Sequence, residues 1–150
     1  MANTYTSLFY HIVFSTKGRR PWIQPTIAPR IWEYMGGVAR AHKMTALQVG
    51  GMEDHAHVLV MAPPTLAPSQ IAQSIKGDSS SWMHETFPSL VDFAWQAGYG
   101  AFSVSKSAVP IVVEYIKNQP QHHRQCTFQE EYLEFLQRHG VEYDERYLWG

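Results

Sequence analysis

Residues 55–61, His-Ala-His-Val-Leu-Val-Met, set the tightest limit on the fold. A strand sends successive side chains to opposite sides, so Ala56, Val58 and Val60 share one face and His55, His57 and Leu59 the other. The small aliphatic face suits a core beneath helices, which leaves the imidazoles on the opposite side of a sheet. Two histidines one residue apart then stand about 7 Å apart at Cα and can converge on one divalent cation.

The flanking segments supply the rest of such a sheet. Thr6 to Ser15 is rich in aromatic and β-branched residues and reads as a first strand, ending at a basic cluster and Pro21. Ile27, Ile31, Met35 and Val38 recur at spacings of three and four, predicting an amphipathic helix to about His42 that Gly36-Gly37 weakens. Met44–Val49 pairs with His55–Met61 as a hairpin through residues 50–54. A helix follows over Ser69–Glu85, with Ile71, Ile75 and Trp82 as its inner stripe. Val91–Ala97 and Gly100–Val104 read as a strand pair turning at Gly98-Tyr99-Gly100. Ser107 is a candidate N-cap for the next helix, Pro110 lies in its first turn, and Pro120 is expected to end it just beyond Gln119. A last helix spans about Phe128–His139, ahead of a polar-aromatic tail. The order β-α-β-β-α-β-β-α-α predicts an α+β sandwich of the ferredoxin-like or RRM-like type, with a central antiparallel sheet and two helices on one face.

With 150 residues the chain is expected to form one domain over residues 1–150, and its 45% hydrophobic content is that of a folded globule. The single cysteine, Cys126, cannot form an intrachain disulfide and fits a reducing compartment. No apolar run approaches the roughly 20 residues that span a bilayer, and the N-terminus lacks the pattern of a signal peptide, so a cytoplasmic location with no membrane partner is expected. A net charge of −1 argues against strong non-specific binding to nucleic acid, so any DNA site must be local and metal-assisted.

Candidate chemistry gathers in two places. His55 and His57 form a metal half-site, for which imidazole with oxygen donors suits Mg²⁺, Mn²⁺ or a harder transition metal, with Zn²⁺ also compatible. Tyr115 and Gln119, one helical turn apart, share a helix face; if that face lies over the strand, it adds a nucleophile and a third ligand. A phenol is mostly protonated at neutral pH and needs activation, a demand that a cation on the phosphate lowers. His122, His123 and Arg124 can ligate metal or contact phosphate, or form a solvated loop. Lys17, Arg19 and Arg20 can grip phosphates at a strand end, or simply solubilise it. Lys76, near the Ser79-Ser80-Ser81 run, is a further candidate for a backbone groove.

Five stretches carry a family resemblance: YHIVFSTKGRRP near the start, DHAHVLV, GYGAFSVS, YIKNQPQHHR and the ending HGVEYDERYLWG. Together they cover nearly the whole chain, which resembles the single-tyrosine transposases of small insertion sequences in the HUH (His-hydrophobic-His) endonuclease superfamily. The resemblance implies a metal-dependent nuclease and strand transferase acting on single-stranded DNA with Mg²⁺ or Mn²⁺. On it, His55 and His57 match the metal-binding pair, Gln119 the additional ligand, and Tyr115, on a helix in the C-terminal part, the nucleophile. It further implies a 5′-phosphotyrosine intermediate, recognition of hairpins near element ends, and a homodimer in which one subunit's tyrosine helix can complete the other's histidine site. A domesticated relative acting on repeated palindromes shares these residues. Two other readings stand beside it: a non-catalytic nucleic-acid-binding module, and a phosphodiesterase that uses water while Tyr115 only packs.

Overall fold

A computed structural model describes residues 3–149 of the chain. Four strands, β1 (Phe9–Ser15), β2 (Thr45–Met52), β3 (His55–Met61) and β4 (Gly100–Val104), form an antiparallel sheet in the order β2-β3-β1-β4. Helix α1 (Ala28–Ala41) joins β1 to β2, and α2 (Pro68–Thr86) joins β3 to β4. Three helices close the chain: α3 (Val109–Lys117), α4 (Gln119–His122) and α5 (Phe128–Arg138). The α+β sandwich expected from the pattern is thus present.

Strand phase divides the interior. Ile12 and Phe14 of β1 and Ala56, Val58 and Val60 of β3 form one core with Ile31, Met35 and Val38 of α1 and Ile71 and Ile75 of α2. The expected inner stripes of both helices are therefore the ones used, although Trp82 is only half-buried and stacks on Tyr34 with ring centroids 4.3 Å apart. On the other side, Val13 and Phe102 pack against Phe128, Tyr132 and Leu136 of α5. Helices therefore cover both faces of the sheet. The third and fifth carry apolar stripes of their own, and these need a surface to bury them.

Several expected boundaries move. The β2–β3 loop contracts to a Glu53-Asp54 turn, because β2 runs on through Gly50, Gly51 and Met52, which pair with His57, Ala56 and His55. Val91–Ala97 is not a hairpin partner of β4. Residues 88–90 form a 3₁₀ turn, and Trp95 bridges Thr16 antiparallel, just past where β4 pairs with β1. The two segments follow the same edge of β1 in the same direction, so they cannot pair with each other. Phe93 and Trp95 enter the core there, where Trp95 Nε1 donates to Ser79 Oγ at 3.0 Å. Ser107 does not cap α3. It lies within a 3₁₀ turn, Lys106–Ala108, and Ala108 occupies the cap position with no side-chain hydrogen bond. Helix α3 ends at Lys117, before Gln119, and Pro120 stands in the first turn of α4 rather than after a helix end. A first-turn proline gives up only an N–H that has no intrahelical acceptor, so the residue expected as a terminator serves as an initiator.

Candidate active site

Two local features bring the tyrosine helix onto the histidine strand. Gly50 pairs with His57, and a Cβ at Gly50 would stand 2.9 Å from Ile116 Cγ2. The missing side chain lets α3 lie close on the sheet edge, which sets Tyr115, the residue before Ile116, beside His57 with ring centroids 5.8 Å apart. Helix α5 is started by a capping box: Thr127 Oγ1 accepts from the Glu130 backbone N–H at 3.2 Å, and the Thr127 N–H donates to Glu130 Oε1 at 3.1 Å. Starting there, the helix turns Phe128, Glu131, Tyr132 and Leu136 inward, which carries one carboxylate into the buried layer.

That carboxylate is the hub. Glu131 Oε1 lies 3.0 Å from His57 Nε2, 3.3 Å from His123 Nε2 and 3.5 Å from His55 Nε2. Its Oε2 accepts from the Tyr115 hydroxyl and from Gln119 Nε2 at 3.0 Å, and lies 3.2 Å from His122 Nε2. Gln119 Oε1 stands 2.9 Å from both His55 Nε2 and His123 Nε2. Single-chain geometry therefore joins Tyr115, His55, His57 and Gln119, and adds Glu131, His122 and His123.

The outer nitrogens explain which way the imidazoles present themselves. His55 Nδ1 meets Asp54 Oδ1 at 2.7 Å, His123 Nδ1 meets the Cys126 carbonyl at 2.9 Å, and His57 Nδ1 meets His11 Nε2 at 2.8 Å. With each Nδ1–H donated outward, each Nε2 lone pair faces the centre, an arrangement common to metal-ligating histidines. Gln119 spends its amide N–H on Glu131, which leaves its oxygen facing the same point. Three imidazole lone pairs, a carboxylate oxygen and an amide oxygen then face one another, acceptor against acceptor. A divalent cation satisfies such a set, and donor atoms of His55, His57, His123 and Glu131 all lie within 4.8 Å of one another.

Charge and burial shape the titrations. Burial favours protonated Glu131, but in the metal-free centre, with protons on the Nε2 atoms of His123 and His57, hydrogen bonds from these imidazoles outweigh it and hold the carboxyl far below its usual range. Burial, with the Glu131 charge beside it, pushes the Tyr115 phenol well up. Burial lowers His57 and His11, whereas His123 is raised because its bond to Glu131 overcomes its own burial.

The remaining candidates divide by location. Arg19 and Arg124 line a groove of about 560 Å³ that reaches the centre at His123 and Asp54. Lys17 and Arg20 are exposed beside Arg19 at the end of β1. Lys76 is not brought to this group. It projects from α2 on the opposite face of the sheet, its Nζ donates to the Ala97 and Gly98 carbonyls at 3.2 and 2.9 Å, and it lies over the Phe14 ring. Two central residues escaped the sequence reading. His11 shares its strand phase with Val13, opposite Ile12 and Phe14, so a buried polar residue on the His57 side was open to inference. Glu131 stands in the inner stripe of α5, a carboxylate where spacing calls for an apolar residue.

Comparison with known proteins resolves the family. The family model described as "Transposase IS200 like" matches residues 4–119. The chain belongs to the IS200-like transposase family. This makes it a DNA transposase by family, with the tyrosine, the histidine strand and the helices in the arrangement described above. Among its relatives, the ISDra2 transposase TnpA of Deinococcus radiodurans is 24% identical over 117 residues, covering 75% of this chain and 84% of the relative. The transposase for insertion sequence element IS200 of Salmonella typhimurium is 29% identical over 125 residues, covering 79% of this transposase and 81% of the relative. A solved transposase from Deinococcus radiodurans R1 superimposes with a TM-score of 0.64 at 22% identity, covering 79% of this chain and 95% of that one. A REP-associated tyrosine transposase solved with a REP hairpin superimposes with a TM-score of 0.59 at 15% identity, over 82% of this chain and 73% of that one. Among the described residues, no helix is long and apolar enough to cross a membrane.

Proposed function

We propose that this transposase cleaves and rejoins single-stranded DNA through a covalent 5′-phosphotyrosine at Tyr115, acting on hairpin-marked ends of an insertion sequence. The observation that carries the reading is the Glu131 carboxylate, which takes a hydrogen bond from the Tyr115 hydroxyl on one oxygen and faces His57 Nε2 at 3.0 Å on the other. Nucleophile and metal half-site therefore meet in a single chain. His55, His57 and Gln119 would hold the divalent cation, Mg²⁺ or Mn²⁺, with His123 and Glu131 able to complete the set. When bound, that ion supplies Lewis-acid polarisation of the scissile phosphate and offsets the charge that accumulates on it.

The chain's own residues do the rest. Tyr115 Oη forms the new bond to phosphorus as the bond from phosphorus to the 3′-oxygen breaks. The phenolic proton is lost as that bond forms and is balanced by protonation of the departing 3′-oxygen, so the step conserves both charge and the number of phosphodiester bonds. Because the phosphoryl group remains in ester linkage, a later 3′-hydroxyl can displace tyrosine and reseal the strand without ATP. His55, His57 and Gln119 are inaccessible to solvent, which keeps water from competing for the cation's ligands, while Tyr115 is half-buried at the edge of this layer. Arg19 and Arg124 in the adjoining groove, with Lys17 and Arg20 nearby, bind backbone phosphates, while His122 and His123 flank the reacting group. Lys76 would contact DNA only if a bound strand wraps to the far face of the sheet. A homodimer is part of this reading, with the same centre assembled within each chain.

The test is covalent capture. Labelled single-stranded hairpin DNA is incubated with Mg²⁺ or Mn²⁺ and either the wild type or Tyr115→Phe. A protein–DNA adduct on a denaturing gel is expected from the wild type and lost by at least about 10³-fold in the variant. Equal cleavage by both proteins, with no adduct, would assign the attack to water and end the tyrosine reading.

A further inference from the structure

We propose that the hollow between α3 and α5 receives a single unstacked nucleobase, that of one nucleotide flanking the scissile phosphate. The proposal rests on the tyrosine reading above and adds to it a base-binding subsite.

The hollow encloses about 280 Å³ and shares Tyr115, His122 and Glu131 with the catalytic centre. A phosphate reaching the tyrosine hydroxyl therefore leaves its neighbouring base at the mouth of this space. The volume lies just below the range for small-ligand sites, about 300–1,000 Å³, which suits one planar ring system and excludes a stacked pair. Its walls join an aromatic and aliphatic surface to the charged side chains of Glu134 and Arg138, which suit the polar edge of a base. The rings of Tyr115 and Phe135 meet edge to face, with centroids 5.7 Å apart and an 87° angle, so a planar ring entering the corner can lie on one and meet the edge of the other. Phe135 is braced from behind by Phe102, whose ring is stacked 5.3 Å away. Ile111 and Val112, in the first turn of α3, form the aliphatic wall.

Ile111 is the least expected of these residues. It stands four positions before Tyr115, on the same side of α3, and is 72% exposed. The described residues leave most of this large aliphatic side chain uncovered at the lip of an aromatic corner, and a stacked base would cover it. The second hollow at the centre offers a contrast. Arg19 and Arg124 line it together with the carboxylates of Glu53, Asp54 and Glu130, so its arginine side suits backbone phosphates. A strand crossing between the two presents phosphates to one side and a base to the other. Flipping a base outward is inexpensive in a single strand and expensive in a duplex, so the apolar hollow also selects for single-stranded substrate.

The experiment uses the full chain and a hairpin-bearing single-stranded oligonucleotide whose cleaved bond has been mapped by the adduct assay. 2-Aminopurine is placed in turn at the two nucleotides flanking that bond, and each is also replaced by an abasic residue. For one of the two positions, binding to wild type should quench 2-aminopurine fluorescence severalfold, and the abasic substitution should raise KM by about 5- to 150-fold with a smaller change in kcat. Ile111→Trp, a substitution at an exposed position that is checked for folding by its thermal melt, fills the hollow. In it the quenching should disappear and the ratio of abasic to intact KM should fall to near one. Quenching at neither position, or an abasic effect equal in both proteins, would overturn the base subsite while leaving the adduct intact. A change of oligomeric state in Ile111→Trp with no effect on fluorescence would instead assign the hollow to a second copy of the chain. Absence of any adduct from the wild type would remove the tyrosine reading, and this proposal with it.

Discussion

Alternate residues of the same two central strands build two unlike environments. Ile12, Phe14, Ala56, Val58 and Val60 point toward α1 and α2 into a hydrophobic cluster, with Lys76 over the Phe14 ring, while His11, Val13, His55 and His57 point toward α3 and α5, where the histidines meet a carboxylate, an amide and a phenol. Both layers exclude solvent almost completely, so burial alone does not distinguish them. They differ in what desolvation does. On the apolar side it contributes roughly 25 cal/mol for each Å² removed from water. On the polar side it opposes folding unless each group finds a partner, and it sharpens every charge that remains. One face of the sheet therefore holds the chain together, and the other holds chemistry that the first must stabilise.

Mutations that exchange these roles should separate the two faces. The largest effect on stability is expected from Ile12→Ala, fully buried on the apolar side, at about 2–5 kcal/mol by urea unfolding, with Mn²⁺ affinity of the folded protein unchanged. Reduced Mn²⁺ affinity in that variant would show that the faces are coupled. His57→Ala should reverse the pattern, weakening Mn²⁺ binding by more than about 100-fold, beyond the range of a lost outer partner, with less stability lost than in Ile12→Ala. Spin-resonance titration of free Mn²⁺ measures the affinity directly.

His11 sharpens the comparison because it touches only the outer nitrogen of His57. His11→Phe keeps a planar ring, though a larger one, but removes the acceptor and should weaken Mn²⁺ binding by about 10- to 100-fold, while His11→Gln, which offers an oxygen near the same place, should recover most of it. If both variants lose affinity equally, His11 serves packing and not orientation.

The smallest effect concerns pH in the metal-free protein. His11 and His57 are held below the ordinary imidazole value of 6.5, so the stability they contribute is present above it and lost as pH falls, since the unfolded chain binds their protons first. His123 is raised and has the opposite sign: its contribution is complete below 6.5 and lost as pH rises through its folded value. Two groups oppose one, so stability measured in EDTA should fall between pH 7 and pH 5. An increase over that range would mean that the His123–Glu131 pair dominates.

The legible parts of the site were those with a local rule behind them. His55 and His57 were found because a two-residue period assigns faces without reference to any partner, and Tyr115 and Gln119 because one turn of helix links them. Yet Gln119 reaches the centre from α4 and not from the end of α3, since Pro120 starts a helix as readily as it stops one. The segment around Trp95 was misread for a similar reason. Its composition is strand-like, but which edge it follows depends on where β4 already lies.

Residue spacing is enough to give a helix-covered antiparallel sheet with two histidines on the face away from its aliphatic core, and a tyrosine helix available to meet them. Periodicity is a property of neighbouring residues, so it survives without any knowledge of the fold. Packing alone brings α3 against Gly50, carries Glu131 into the layer from 74 positions beyond His57, and sets His11 on the outer nitrogen of that histidine. Each of these contacts joins segments distant in the chain. Their worth comes from mutual desolvation and aligned lone pairs, which exist only once the elements have packed.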